Sequence, residues 1–216
     1  MVIIMAEMDK PDIRKTGTTT IGIVCRDGVV LAAEKKSTMG YLVASKETEK
    51  ISQVDDSIAM TIAGASGDAQ TLVRYMRAEL KLFAIQNQRK ISVKGAASLL
   101  SNMLQGARYA PYMVQLIIAG FDKEGGQVFS LDAIGAIEQE SKFFSTGSGS
   151  PFALGVLEDG FKDGLSVNDA GSLAVRAISA AVERDIGSGG KGIDVMKITK
   201  DGIVKENYPF CPKPAK

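Results

Sequence analysis

The sequence predicts an α+β fold, a four-layer αββα sandwich in which two antiparallel sheets lie between two layers of helices. Two observations favour this fold. Apolar alternating runs are joined by short hairpin turns, which indicates antiparallel strands. Segments with helical periodicity come in pairs, so the order is strands, two helices, strands, two helices and strands. Paired helices of this kind are expected to cover the outer faces of two stacked sheets.

The strands are predicted from turn residues that separate apolar runs. TTIGIVC and VVLAAE flank the turn of residues 26–28, MVQLIIAGF and QVFSLD flank DKEGG, and IDVMKIT and GIVKE flank KDG. Asp-Gly and related pairs adopt the turn that joins two antiparallel strands. SIAMTIAG, residues 57–64, is predicted to be a further strand.

The first pair of helices is predicted from apolar residues at 3.6-residue spacing. One helix covers residues 68–86 with Asp68 as its N-cap, and the next begins at Ser92. Their apolar faces comprise Leu72, Val73, Met76, Leu80 and Phe83 in the first helix, and Val93, Ala96, Leu99, Leu100, Met103 and Leu104 in the second.

The second pair of helices carries start signals of its own. Ser150 followed by Pro151 predicts an N-cap with proline at the first helical position, and Gly160 ends this short helix. Ser166 and Asp169 resemble a capping box at the start of the last helix. The buried face predicted for the last helix comprises Ala170, Leu173, Ala174, Ala177, Ile178 and Ala181.

Composition and charge indicate one globular domain and exclude several kinds of partner. The chain has 216 residues, 45% hydrophobic and 24% charged, which is enough for one sizeable core. Its 26 basic and 25 acidic residues leave no excess of positive charge for nucleic acid or an acidic membrane surface. No apolar stretch approaches the roughly 18 residues of a membrane span. We therefore expect neither nucleic acid nor a membrane as a partner.

The N-terminus and the cysteines favour a cytoplasmic protein. The apolar run MVIIM ends before Glu7, no basic residue precedes it, and no A-x-A-like site follows, which argues against a secretory signal peptide. Cys25 falls in an apolar run and Cys211 in the tail PFCPKPAK, so the two do not indicate a disulfide scaffold. A buried thiol and a tail thiol fit a reducing compartment.

The chain contains no histidine, and this narrows the chemistry further. Ser-His-Asp and Cys-His systems need imidazole as a base, and HExxH metalloproteases need it as a ligand. Two cysteines cannot complete a Cys-rich zinc site. A hydrolase with this sequence must take its base from another group.

The stretch GTTTIGIVC, residues 17–25, offers such a base. A hydroxyl becomes an effective nucleophile when a base accepts its proton, and a free α-amino group titrates close to neutral pH. Cleavage between Gly17 and Thr18 would therefore give Thr18 both a nucleophile and a base. Taken alone, three threonines more commonly begin an edge strand, so this interpretation depends on the other motifs.

Several longer motifs resemble one family in the same order and spacing. They are GTTTIGI after a short leader, TIAGASGDAQ at 61–70, LLSNML at 99–104, YMVQLIIAG at 112–120, STGSGSPFALGVLE at 145–158 and RAISAAVERDIGSGG at 176–190. By these motifs the sequence resembles the proteasome β subunits of archaeal type, from residue 17 to about residue 204. The resemblance implies the αββα fold of N-terminal-nucleophile hydrolases and a threonine endopeptidase that removes its own propeptide. It implies no cofactor and no metal.

The resemblance also assigns catalytic roles to residues of this chain. Thr18 would be the nucleophile, exposed by autocatalytic cleavage after Gly17. Lys50, in ETEKIS, would assist proton transfer, and Glu34, in LAAEKK where many members have aspartate, would orient that lysine. The backbone amide of Gly64, in TIAGAS, would stabilise the oxyanion. Without the family motifs, Lys50 would be interpreted as a solvated surface charge.

Further residues match the family's supporting network and its substrate pocket. The network around the amino group of the nucleophile comprises Ser148, Asp185 and Ser188. The pocket comprises Ser37, Thr48, Ile62 and Ser66, which predict an open, mostly neutral pocket and cleavage after hydrophobic residues. TGSGSP also resembles a phosphate-binding loop, but it lacks the GK[ST] ending of a P-loop, so nucleotide binding is the weaker alternative.

The resemblance also predicts domain boundaries and partners. Residues 1–17 would be a cleavable propeptide, 18–207 the catalytic αββα domain, and 208–216 a flexible C-terminal tail. Family members form stacked seven-membered rings, two β rings between two rings of α subunits. An ATP-dependent unfoldase supplies them with unfolded polypeptide. The amphipathic helices fit subunit contacts as well as a monomer core, so the sequence alone does not show the ring.

Three alternatives remain beside this interpretation. A different N-terminal-nucleophile amidase would share the fold and Thr18 but act on small molecules, and assembly with α subunits would distinguish the two. A β-like structural subunit would keep its leader and be inactive. An α subunit fits less well, because that family carries an extra N-terminal helix in place of a cleavable leader.

Overall fold

The computed structural model describes residues 17–40 and 42–210, which form twelve strands and four helices. The strands are β1 (Thr20–Cys25), β2 (Gly28–Glu34), β3 (Ser37–Met39), β4 (Leu42–Ser45), β5 (Ile51–Asp55), β6 (Ile58–Gly64), β7 (Val114–Asp122), β8 (Gly125–Leu131), β9 (Ile137–Glu140), β10 (Phe143–Thr146), β11 (Gly192–Thr199) and β12 (Gly202–Pro209). The helices are α1 (Ser66–Asn87), α2 (Val93–Gly106), α3 (Ser150–Gly160) and α4 (Val167–Arg184).

The strands form two five-stranded sheets and one small two-stranded sheet. The first sheet has the order β10-β1-β2-β11-β12, the second has the order β5-β6-β7-β8-β9, and β3 pairs with β4. Every pairing is antiparallel. All three predicted hairpins, β1–β2, β7–β8 and β11–β12, are confirmed.

Three apolar clusters lie between the layers of the fold. One joins α1 and α2 to the second sheet, and another joins α3 and α4 to the first sheet. The third lies between the two sheets and includes Leu31 of β2 and Ile117 of β7. Successive residues of β2 point to opposite faces, so Val30 packs toward the helices while Leu31 packs toward the other sheet. The predicted four-layer αββα sandwich is therefore confirmed.

Two of the predicted helix starts are confirmed. The Ser92 hydroxyl accepts a hydrogen bond from the backbone amide of Gly95 over 3.1 Å at the start of α2. The Ser166 hydroxyl accepts one from the amide of Asp169 over 3.2 Å at the start of α4. Each bond satisfies an amide that has no partner within the helix.

The other two predicted helix starts are wrong. α1 begins at Ser66, two residues earlier than predicted, so Asp68 is not its N-cap. The Asp68 carboxylate instead accepts a hydrogen bond from the backbone amide of Met113 over 2.8 Å, next to the start of β7. α3 has Gly149 at its N-cap position, which makes Ser150 the first helical residue. For α1 a tertiary contact of Asp68 accounts for the difference, and such a contact is not visible in local sequence.

Five strands had not been predicted from the sequence, and they share a simple property. β5, β9 and β10 lie at the edges of the large sheets, and β3 and β4 form the small sheet. Each has three to five residues and carries polar side chains. Short strands that pair on one side need no long apolar run, so periodicity does not reveal them.

The described residues can be compared with the predicted domain boundaries at the two ends of the chain. Strand β12 continues to Pro209, two residues beyond the predicted domain end at residue 207. Residues 1–16 of the predicted propeptide and residues 211–216 of the predicted tail, including Cys211, lie outside the described residues. Within the part of the chain that is described, no helix is long and apolar enough to cross a membrane.

Candidate active site

The predicted catalytic residues lie at neighbouring strand ends. Thr18 precedes β1, and Glu34 is the last residue of β2. These strands pair with Thr20 opposite Ala33, so the residues before β1 run alongside the end of β2. Lys50 directly precedes β5 in the other sheet, and its carbonyl accepts a hydrogen bond from the backbone amide of Ile62 in β6 over 2.9 Å. The site thus spans one end of the sandwich.

The Thr18 hydroxyl lies between a lysine and a carbonyl. Lys50 Nζ donates a hydrogen bond to Thr18 Oγ1 over 2.9 Å. Thr18 Oγ1 in turn donates to the carbonyl oxygen of Gly17 over 2.6 Å, and Lys50 Nζ lies 3.3 Å from the same oxygen. Thr18 is 3% exposed and Lys50 6% exposed, so solvent weakens these contacts little.

A buried ion pair holds the lysine in place. Lys50 Nζ contacts Glu34 Oε1, and Glu34 is fully buried. Glu34 Oε2 accepts hydrogen bonds from the backbone amides of Lys36 over 2.7 Å and Gly189 over 3.0 Å. The longer glutamate arm therefore reaches Lys50 with one oxygen while the other is held by main-chain amides.

Burial dominates the acid–base properties of this pair. It lowers the pKa of the Lys50 amine below its usual range, and the charge and hydrogen bond of Glu34 oppose that change. Burial likewise raises the pKa of the Glu34 carboxyl, against the opposing charge and hydrogen bond of Lys50. A lysine with a lowered pKa is better suited to accept and return a proton near neutral pH.

A second group of hydrogen bonds surrounds the backbone nitrogen of Thr18. This nitrogen donates to Ser148 Oγ over 3.2 Å, and Ser148 Oγ donates to Asp185 Oδ2 over 2.7 Å. Ser188 Oγ donates to the same carboxylate oxygen over 2.6 Å. The three residues predicted for this network are thus in contact. Asp185 follows the last residue of α4, and Ser188 lies in the loop before β11.

The two remaining threonines of the TTT motif also take part in buried contacts. Thr19 Oγ1 lies 2.7 Å from Ser188 Oγ. Thr20 Oγ1 lies 2.6 Å from Thr146 Oγ1 of β10 and 3.0 Å from Thr61 Oγ1 of the second sheet. Strand β1 begins at Thr20, so only one of the two threonines belongs to the strand that was expected to contain both.

The predicted substrate pocket and the predicted oxyanion residue line one cleft. Ser37, Thr48, Ile62, Ser66 and Gly64 all border the cleft that contains Thr18 and Lys50. Sequence reasoning missed other residues that line it, namely Lys36, Glu49, Ala69 and Gln70. Each of these four residues is a neighbour of a predicted residue in the sequence or lies one helical turn from one. This proximity is the only feature of the sequence that could have identified them.

Gly64 has a backbone conformation that only glycine adopts readily. Its φ of 121° lies in a region that residues with a Cβ rarely occupy. A Cβ at this position would also lie 2.1 Å from the carbonyl oxygen of Met113. The main chain beside the cleft therefore depends on glycine at position 64.

The backbone of Gly17 packs directly against that of Gly187. A Cβ on Gly17 would lie 1.9 Å from Gly187 Cα, and a Cβ on Gly187 would lie 2.2 Å from Gly17 Cα. The carbonyl oxygen of the same residue, Gly17, lies beside Thr18 Oγ1 and Lys50 Nζ. Sequence reasoning had identified Gly17 as the processing residue but gave no role to Gly187.

The site thus combines the parts of an acyl-transfer centre. It has a buried hydroxyl, a lysine with a lowered pKa in contact with it, and a carbonyl within 2.6 Å of the hydroxyl oxygen. Among the described residues, no group of three or more His, Cys, Asp or Glu side chains is arranged to hold a metal ion.

Comparisons with known proteins give a consistent result. The family model described as Proteasome subunit matches residues 14–198. The chain is 55% identical over 186 residues to proteasome subunit beta of Methanohalophilus mahii, covering 86% of this chain and 88% of that protein. It is 54% identical over 185 residues to the protein of the same name from Methanococcoides burtonii, with 86% and 88% covered. For proteasome subunit beta of Archaeoglobus fulgidus the identity is 50% over 197 residues, covering 91% and 90%.

Proposed function

Since the chain belongs to the proteasome subunit family, we propose that it is the catalytic β subunit of a proteasome core particle. It acts as a threonine endopeptidase and degrades unfolded polypeptide. The contact of Lys50 Nζ with Thr18 Oγ1 over 2.9 Å carries this proposal. A structural subunit would have no need of a buried lysine with a lowered pKa beside the hydroxyl of its threonine.

The first reaction is removal of the propeptide, residues 1–17. Thr18 Oγ1 attacks the carbonyl carbon of Gly17, while Lys50 takes the hydroxyl proton and returns it to the departing nitrogen of Thr18. An ester then joins Gly17 to Thr18 Oγ1 in place of the peptide bond. Water hydrolyses this ester, releases the carboxyl group of Gly17 and leaves a free α-amino group on Thr18. The 2.6 Å contact between Thr18 Oγ1 and the Gly17 carbonyl oxygen supports this step.

Peptide hydrolysis repeats the same chemistry on a substrate. Thr18 Oγ1 attacks the scissile carbonyl, the amine product leaves, and water then hydrolyses the acyl-enzyme with the α-amino group of Thr18 as its base. Ser148, Asp185 and Ser188 orient that amino group, which the chain of hydrogen bonds ending at Asp185 supports. The Gly64 amide stabilises the oxyanion, a role supported by the position of Gly64 in the cleft.

The cleft also suggests the kind of residue that precedes the cleaved bond. Ser37, Thr48, Ile62 and Ser66 offer a mostly neutral surface beside Thr18, which favours a hydrophobic side chain. Lys36 and Glu49 add one charge of each sign at this cleft, so neither an acidic nor a basic side chain gains a net attraction.

We further propose the assembly that this family implies. The chain forms a seven-membered β ring, two such rings stack between rings of α subunits, and an ATP-dependent unfoldase delivers substrate. The family match and the relatives named proteasome subunit beta support this assembly. The particle belongs to the cytoplasm, where such substrates are produced.

The test uses particles purified after co-expression with an α partner. Thr18→Ala is expected to retain the leader and to lose peptidase activity by more than about 10³-fold, because the nucleophile is removed. Lys50→Ala is expected to assemble but to hydrolyse almost nothing, while Lys94→Ala, at an exposed lysine of α2, should behave as wild type. Full activity of Thr18→Ala particles would refute the proposal.

A further inference from the structure

We propose that Thr19 is a positioning residue for peptide hydrolysis. This inference rests on the proposed peptidase function. The hydroxyl of Thr19 extends the hydrogen-bond network around the amino group of Thr18, and its main chain holds the carboxylate that orients Lys50. Thr19 touches none of the reacting atoms, and it acts through Ser188 and Glu34.

The contacts of Thr19 connect the two halves of the site. Its hydroxyl lies 2.7 Å from Ser188 Oγ, and its backbone amide donates to Glu34 Oε1 over 3.3 Å. Its carbonyl accepts a hydrogen bond from the Glu34 amide over 3.4 Å. Ser188 belongs to the network that ends at the Thr18 nitrogen, and Glu34 belongs to the pair that places Lys50. One fully buried residue therefore joins both.

The direction of these hydrogen bonds follows from the number of available protons. An ionised Asp185 carboxylate can only accept, so Ser188 and Ser148 each direct their single hydroxyl proton to it. Ser188 Oγ then has no proton left for Thr19, and the Thr19 hydroxyl must be the donor. A hydroxyl that accepts such a bond becomes a stronger donor itself, so Thr19 strengthens the bond from Ser188 to Asp185.

The fold leaves space for this hydroxyl at a specific place. A Cβ on Gly149 would lie 2.0 Å from Thr19 Oγ1 and 3.1 Å from Ser188 Oγ. The loop before α3 therefore accommodates the Thr19 hydroxyl only because residue 149 has no side chain. A residue that merely filled core space beside β1 would not need a polar atom in this gap.

Removing the hydroxyl has a predictable effect on the charge near the nucleophile. In a Thr19→Val protein, Ser188 donates more weakly and more negative charge stays on Asp185. That charge favours the ammonium form of the Thr18 amino group, which must be neutral to act as a base. The other charged groups that face this site, Glu34, Lys36 and Lys50, are unchanged in the variant. The acidic limb of the pH profile of kcat/KM should therefore move to higher pH.

The experiment compares Thr19→Val and Thr19→Ser in particles assembled with an α partner. Thr19→Val should lower kcat about tenfold, which corresponds to about one buried hydrogen bond, with little change in KM. Thr19→Ser restores the hydroxyl and should recover both the rate and the pH profile. Thr61→Val is the matched control, because Thr61 is also buried and bonds Thr20 but not Ser188. It should leave the pH profile in place.

The outcomes separate this proposal from the proposed function. A Thr19→Val enzyme with wild-type kcat and pH profile, or a Thr19→Ser enzyme as impaired as Thr19→Val, would overturn the positioning role. If Thr19→Val does not assemble, Thr19→Ala is compared with wild type, and Ser188→Ala/Thr19→Ala is compared with Ser188→Ala. Thr19→Ala should lower kcat when Ser188 is present but cause no further loss once Ser188 is gone, and an equal loss in both backgrounds would overturn the proposal. Wild-type particles without peptidase activity would instead refute the proposed function.

Discussion

At the level of single residues, the proposed proton transfer depends on the buried pair of Lys50 and Glu34. Two opposite charges lie in a region without solvent, where an unpaired charge would be costly. Glu34 meets this cost by accepting bonds from Thr19, Lys36 and Gly189 amides in addition to Lys50. The lysine is therefore held beside Thr18 while its pKa stays below the usual range.

The first prediction concerns Glu34→Gln and the pH dependence of propeptide removal. The Glu34 charge opposes the lowering of the Lys50 pKa, so its loss should lower that pKa further. Processing needs the neutral amine, so the rate rises with pH through the Lys50 pKa, and the inflection should move to lower pH in the variant. The maximal rate should also fall, because the lysine loses its anchor. Intact-mass time courses at several pH values measure both effects.

A matched control for this experiment is Glu47→Gln. Glu47 pairs with Lys191 over 2.6 Å at the surface, and its side chain is 63% exposed. Its substitution should leave the pH profile of processing unchanged. An inflection that moves to higher pH in Glu34→Gln would contradict the account of the pair.

The second prediction concerns the reactivity of Cys25. Burial, with a smaller contribution from the charge of Asp27, raises the pKa of its thiol to about 12. Since the thiolate is the reactive form, Cys25 should resist iodoacetamide at pH 8 in the folded protein and react readily in guanidinium. Peptide mass mapping distinguishes Cys25 from Cys211. Equal labelling of Cys25 in the folded and unfolded protein would contradict this prediction.

Only some of the residues of the site could be predicted from the sequence. Thr18 and Ser188 could be named because long motifs carry them, and Glu34 and Lys50 because those motifs fix the register of the shorter stretches LAAEKK and ETEKIS. The structure brings Thr18, Lys50 and Glu34 into contact and places Ser188 beside Asp185. The part played by Thr19 could not be named, because its hydroxyl meets a residue 169 positions away. A local pattern contains no information about such a contact.

At the level of elements, the ends of helices and strands place the functional groups. Thr18 precedes β1, Glu34 ends β2, Lys50 precedes β5, and Asp185 follows α4. α4 lies on the first sheet and presents an apolar face to β1, β2 and β11. The stability of α4 therefore bears directly on the position of Asp185.

The third prediction tests the start of α4. Ser166→Ala removes a hydroxyl that accepts from the Asp169 amide and donates to the Asp169 carboxylate. The loss should be about 1 kcal/mol, or a fall in Tm of about 2–4 °C for a domain of this size. Thermal unfolding at equal protein concentration measures it. Ser172→Ala, on the exposed face of the same helix, should change stability by less than about 0.5 kcal/mol. Equal effects of the two substitutions would contradict the capping role.

Elements differ in how well the sequence predicts them, for physical reasons. The long amphipathic helices and the strands of the β1–β2, β7–β8 and β11–β12 hairpins carry strong periodicity, and all of these were predicted. The edge strands β5, β9 and β10 are short and carry polar side chains among their apolar ones, so periodicity did not reveal them. The start of α1 was misplaced because Asp68 satisfies an amide near β7 instead of its own helix.

The whole molecule is held together by the apolar layer between the two sheets. Leu31, Ile117 and Ile198 are fully buried there. One side of the catalytic site comes from the first sheet and the other from the second, so packing between sheets sets the distance from Thr18 to Lys50. The fold class could be predicted because hairpin turns indicate antiparallel strands and because helices that come in pairs are expected to cover the outer faces of two stacked sheets.

The central claim is that the first threonine becomes the N-terminal nucleophile of an active peptidase. The most direct measurement is the intact mass and N-terminal sequence of the protein purified after co-expression with an α partner. The account predicts a chain that begins at Thr18, together with the released segment of residues 1–17. Assembled particles whose subunits still begin at Met1, or begin at Thr19, would contradict it.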